Sequence, residues 1–158
     1  MNKTTPSLRE LFDLACTNAK RIFLEEGEVS PIWHAIPEDI ASPQLLIATP
    51  WCSDEEKETA IEAIREMFKL HRVQRFVFVT EAWAVMGGDL ATVFKGRPSQ
   101  HPDRREILRV QAEDRNGDSL TGSYYILRPE HGPVTLSPFK EDPPHMVTTG
   151  RLSGMLAS

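Results

Sequence analysis

One carboxylate, Glu81, sits inside the longest apolar stretch of the chain, Arg75-Phe76-Val77-Phe78-Val79-Thr80-Glu81-Ala82-Trp83-Ala84-Val85-Met86. A carboxyl group on a buried strand is costly to desolvate, and its pKa rises, as general-acid chemistry requires. Glu81 is therefore the candidate catalytic residue, and Trp83 is a candidate aromatic platform for a ligand or partner. The plainer alternative puts Glu81 at a bulge, at the end of the sheet, or opposite an arginine such as Arg109 on a neighbouring strand. The second group of candidates is basic. Residues 87–105 begin with Gly87-Gly88 and run on with no clear period, and they hold Lys95, Arg97, His101, Arg104 and Arg105. Loops of that length are uncommon in compact domains and tend to be functional or disordered. Lys95, Arg97, Arg104 and Arg105 are the candidate contacts to an anionic ligand or partner. Their alternative role is solubility, as charges on a solvated insertion.

Other chemistries are missing. Gly87-Gly88 follows a strand, but neither the remaining glycines of a phosphate loop nor its Lys-Ser/Thr pair comes after it. HExxH, CxxC and G-x-S-x-G are absent as well. His34, His71, His101, His131 and His145 are scattered singly, and Cys16 and Cys52 stand in unrelated segments. No metal and no cofactor are expected from that scatter. Pro102-Asp103 with Glu113-Asp114-Arg115 matches part of a PD…(D/E)xK nuclease pattern, but the lysine is missing.

The chain has 158 residues, 40% hydrophobic and 26% charged, with a net charge of −5. This is the composition of one globular domain, and the negative charge disfavours nucleic acid as a partner. The N-terminus lacks the apolar core of a signal peptide, and no apolar run is long enough to span a membrane, so a cytoplasmic protein without membrane partners is expected.

Ser7-Leu8-Arg9-Glu10 reads as a capping box, followed by Leu8, Leu11, Phe12, Ala15, Ala19, Ile22 and Phe23 at helical spacing, with Gly27 as terminator. Residues 29–36 and 44–49 read as strands, the first marked by Pro31 as an edge. Ser53 to Glu56 opens a second helix with the stripe Ala60, Ile61, Ile64, Met67, Phe68 and His71. The run from Arg75 is a strand buried on both faces, the spine of a sheet. Residues 106–114 and 119–128 make a hairpin. Only a three-residue loop with Gly117 left-handed pairs Ala112 with Leu120, Val110 with Gly122 and Leu108 with Tyr124 on one apolar face. Five prolines from Pro129 to Pro144 mark an irregular tail.

The expected fold is α+β in the order α-β-β-α-β-β-β. It has a largely antiparallel sheet of about five strands and two helices packed on one face. Residues 1–128 form the domain, and 129–158 are a proline-rich tail docking on it. The segments Val77 to Trp83, Arg97-Pro98-Ser99 and His101-Pro102-Asp103-Arg104-Arg105-Glu106 resemble a family of small uncharacterised proteins of bacterial and phage genomes. That resemblance, from the first helix to about Arg128 and again at the final Gly-Arg, implies no activity or site. The leading reading is a non-catalytic interaction protein that binds a protein partner or forms a homo-oligomer. The alternative is a small enzyme or ligand-binding protein for an anionic substrate, built around Glu81 and loop 87–105.

Overall fold

Ser7 opens the first helix as its sequence requires. Its hydroxyl accepts from Glu10 N at 3.1 Å, and Glu10 Oε1 accepts from Ser7 N at 3.3 Å. Helix α1 (Leu8–Glu26) then runs until Gly27, at φ 81°, donates its N–H to Phe23 O at 2.7 Å. The left-handed turn that ends α1 is free of strain at glycine. The computed structural model describes residues 4–84, 104–143 and 155–156.

Seven antiparallel strands follow from this beginning: β1 (Ile32–Pro37), β2 (Leu45–Ala48), β3 (Val73–Ala84), β4 (Arg105–Asp114), β5 (Ser119–Leu127), β6 (Thr135–Leu136) and β7 (Lys140–Glu141). Helix α2 (Asp54–Leu70) links β2 to β3. The order across the sheet is β2-β1-β3-β4-β5-β6, and β7 also pairs with β5. The first strand starts only at Ile32 and lies between β2 and β3, so it is not the edge that Pro31 suggested. Pro31 has no N–H to give the ladder, and Val29 is buried in the core beneath α1.

Alternation along β3 distributes the core between two layers. Val77 and Val79 pack with Leu11, Phe12 and Phe23 of α1, while Phe76 and Phe78 pack with Ile61, Ile64 and Phe68 of α2. The two helices therefore cover opposite faces, which corrects the expectation that both lie on one. A strand apolar on both faces needs a layer against each. On the α2 face, Trp33 is fully buried, its ring 4.0 Å from Phe78 and 6.0 Å from Phe68 between centroids. Its indole N–H donates to Thr49 Oγ1 at 2.8 Å, so the one polar atom of that side chain is satisfied. Each such fully buried side chain stabilises the fold by roughly 1.5–3 kcal/mol relative to exposure.

The β4–β5 hairpin has the register Ala112↔Leu120, Val110↔Gly122 and Leu108↔Tyr124, with Gly117 at φ 99°. The bulged loop expected from the alternation is the one found. The tail is more ordered than expected. β6 and β7 extend the sheet beyond β5, which brings the strands to seven instead of about five. Between them Pro138 interrupts the ladder, and Phe139 packs 5.7 Å from Phe12 and 4.9 Å from Tyr124. Met155 returns to the α2 face and is buried there. Among the described residues no helix is long and apolar enough to cross a membrane.

Candidate functional site

Glu81 faces the α1 side of β3, opposite Leu108 of β4, and one residue of register separates it from the arginine expected beside it. Arg109 pairs with Thr80 and points to the other face. There it meets Asp142 at 3.3 Å, and Asp142 also accepts from Thr121 Oγ1 at 2.7 Å. Glu81 instead accepts from the backbone N–H of Val29 at 3.1 Å. That bond satisfies an amide on the link from α1 to β1, where no ladder partner reaches it.

Trp83 is 42% exposed and lies across from Glu106. Arg128 grips the Glu106 carboxylate with two hydrogen bonds, 2.6 Å from Nε and 3.2 Å from Nη2, which raises the pKa of its guanidinium. Arg104 sits over the Trp83 ring at 5.0 Å, and Arg105 sits over the Tyr125 ring at 4.0 Å. Neighbouring residues on an extended backbone project to opposite sides. Trp83 and Tyr125 accordingly hold the two arginines on opposite faces of the sheet. Thus the structure brings Glu81, Trp83 and Arg104 to one end of the sheet and turns Arg105 away. Lys95 and Arg97 lie outside the described residues. Glu81, Trp83, Arg104 and Arg105 are not among the described residues that line the cavities at the end of α2, beside α1, below the β1–β2 loop or along α2.

Cys16 and Tyr124 are likewise placed in structural roles. Burial pushes the Cys16 thiol up to about 12, so it stays protonated in neutral solution. The Tyr124 hydroxyl donates to Cys16 O at 3.2 Å, a bond between β5 and α1 inside the core. Among the described residues no group of three or more His, Cys, Asp or Glu side chains is placed to hold a metal ion.

The most exposed apolar feature of the sheet is its β2 edge, which motif reading had not singled out. Thr49 N donates to Pro31 O at 2.9 Å, and the paired residues are Ile32↔Ala48, Trp33↔Ile47, His34↔Leu46 and Ala35↔Leu45. In an antiparallel ladder the bonded pairs alternate. The N–H and C=O groups of Leu45 and Ile47 therefore face β1, and those of Leu46 and Ala48 face outward. Among the described residues these outward groups have no hydrogen-bond partner. Residues 44–49, Gln-Leu-Leu-Ile-Ala-Thr, carry no charge and no proline, and Leu46 is 74% exposed.

Behind Leu46 lies an apolar groove of about 190 Å³ on the α1 face. Its floor is Ile32, Val77 and Val79, and its wall is Ala15, Ala19 and Ile22 of α1. The groove exists because α1 packs chiefly over β3 and β4 and reaches only the near side of β1, which leaves β2 without a helix on that face. His34, on the groove side of β1, is hydrogen-bonded to Gln44 Oε1 at 2.7 Å across the hairpin. The sequence carried a signal for this surface: an uncharged apolar strand between Pro43 and Pro50.

Comparison of the chain with protein-family models, curated proteins and solved structures found no match.

Proposed function

We propose that this protein is a non-catalytic interaction protein that self-associates by pairing the β2 edge of one copy with that of a second. The observation that carries the reading is the open, uncharged β2 strand with Leu46 exposed on it. Sheet edges of monomers are commonly blunted by charge, proline or bulges, because unpaired N–H and C=O groups template further strands. Residues 45–48 carry no charge and no proline, and no bulge interrupts their pairing with β1. Two copies related by a two-fold axis perpendicular to the sheet would exchange main-chain hydrogen bonds through Leu46 and Ala48. The axis keeps like faces together, so both Leu46 side chains and both apolar grooves would lie on one continuous surface.

The rival reading, catalysis or anion binding around Glu81, calls for a concave site with Glu81 and two arginines converging on it. Glu81 receives the Val29 amide, and Arg104 and Arg105 rest on aromatic rings on opposite faces. Those contacts favour self-association.

Ala48→Pro tests the proposal without breaking the hairpin. The Ala48 N–H points away from β1, so proline there deletes a donor from the free edge and none from the β1–β2 ladder. Sedimentation equilibrium of the wild type is expected to show a reversible monomer–dimer equilibrium, and Ala48→Pro is expected to be monomeric with an unchanged circular dichroism spectrum. A wild type that stays monomeric at all concentrations, or a variant that dimerises equally well, contradicts it.

A further inference from the structure

We propose that the cavity at the C-terminal end of α2 binds an oxyanion carried on an apolar body, such as a carboxylate or phosphate at the end of an alkyl chain. This site is separate from the β2 edge and does not depend on it. The cavity has a volume of about 760 Å³, within the range of small-molecule sites. Among the described residues, three cationic side chains, Lys69, Arg72 and Arg115, line it against a single carboxylate, Glu38, in a protein whose net charge is −5. Phe68 and Met155 stand behind them and give the cavity an apolar wall.

The three cations are not equivalent. Arg115 is fixed in place, with Nη2 donating to Val73 O at 2.8 Å and Nη1 lying 3.4 Å from Glu38 Oε2. Lys69 lies 3.6 Å from Glu66 along the exposed side of α2. The Arg72 guanidinium has no ion pair or hydrogen bond among the described residues. Its backbone is also strained. Arg72 is the one described non-glycine residue with positive φ, at 50°. Where α1 ends, the left-handed position is filled by Gly27, which adopts it without a Cβ penalty. At the end of α2 the same kind of position carries a long cationic side chain that lines the cavity. Strain of this sort marks functional sites when the side chain itself is used. A guanidinium fork presents paired donors to a carboxylate or phosphate.

The competing explanation is that Arg72 merely complements the negative end of the helix dipole. Arg72→Gly separates the two, because it removes the charge and relieves the backbone in one change. The probes are octanoate and octyl phosphate, with acetate and inorganic phosphate as counterparts lacking the apolar body, each titrated calorimetrically into the full chain. The proposal expects both octyl compounds to bind the wild type at least about tenfold more tightly than their short counterparts. It further expects Arg72→Gly to lose at least about tenfold in affinity while its Tm is unchanged or higher, a shift of about 1.4 kcal/mol in binding. If octanoate prevails over octyl phosphate the natural ligand is a carboxylate, and the reverse result makes it a phosphate ester. Should the glycine variant melt lower, Arg72→Gln, which keeps an amide in place of the charge, decides by the same affinity loss. Undiminished binding in both variants, or no saturable binding of either octyl compound to the wild type below about 1 mM, overturns the proposal.

Discussion

The two edges of this sheet are built on opposite principles. At one side, β2 presents an uncharged, unbroken strand whose outward amides lack partners among the described residues and whose Leu46 is largely in solvent. At the other, the chain lays down only the two-residue strands β6 and β7, separated by Pro138, and the outermost residues are Lys140, Glu141 and Asp142. Arg9 of α1 ties that edge to the domain through two hydrogen bonds to Glu141, one of them 3.0 Å from Nη2 to Oε2, and lowers the pKa of the Glu141 carboxyl. Very short, charged strands interrupted by proline do not recruit another sheet; an uncharged apolar one does. The difference teaches that, among the described residues, one edge is protected and the other is left open.

The comparison can be broken most severely at Gly122. A Cβ there would overlap the Phe139 ring and come within 2.8 Å of Lys140 O. Gly122→Ala should force β7 off β5 and withdraw Phe139 from Phe12 and Tyr124, at a cost of about 1–3 kcal/mol. Chemical denaturation measures the loss. With its guard gone, the β5 edge should also begin to associate, visible as aggregation absent from the wild type.

A smaller effect is expected at the hairpin that joins the spine to the guarded edge. Gly117 has open space around a hypothetical Cβ, so any cost of replacing it is conformational. Gly117→Val should destabilise by about 1–2 kcal/mol, because a β-branched residue resists positive φ. Asn116→Ala should cost less, about 0.5–1 kcal/mol, for the two hydrogen bonds that Asn116 makes with Asp118. Denaturation of both variants checks the order, and equal losses would point to strain shared by both turn positions. Smallest of all should be the stability change from Ala48→Pro, within about 0.5 kcal/mol, since the exposed position gives up no ladder bond.

Much of this architecture was legible before any coordinates. The capping box at Ser7, the Gly27 terminator, the spine strand and the bulged hairpin at Gly117 each rest on local chemistry or on alternation within a few residues. The helix faces were legible too, although the one-face expectation missed them. Phe76 and Phe78 against Val77 and Val79 already require two covering layers. β6 and β7 were not readable, because two-residue strands around a proline have no periodicity. Nor was the edge status of β2, which depends on strand order and hence on contacts distant in sequence. Around the candidate site, the acceptor role of Glu81 was hidden for the same reason, since Val29 lies 52 residues away. The separation of Arg104 from Arg105 was within reach, because adjacent residues of an extended chain cannot face the same side.

Amide hydrogen exchange followed residue by residue at several protein concentrations tests the open edge most directly. The account predicts that the outward amides of Leu46 and Ala48 exchange fast in dilute solution and become protected as concentration rises, while the amides of β7 do not change. Exchange at Leu46 and Ala48 that is independent of concentration, or protection that grows at β7 instead, would contradict it.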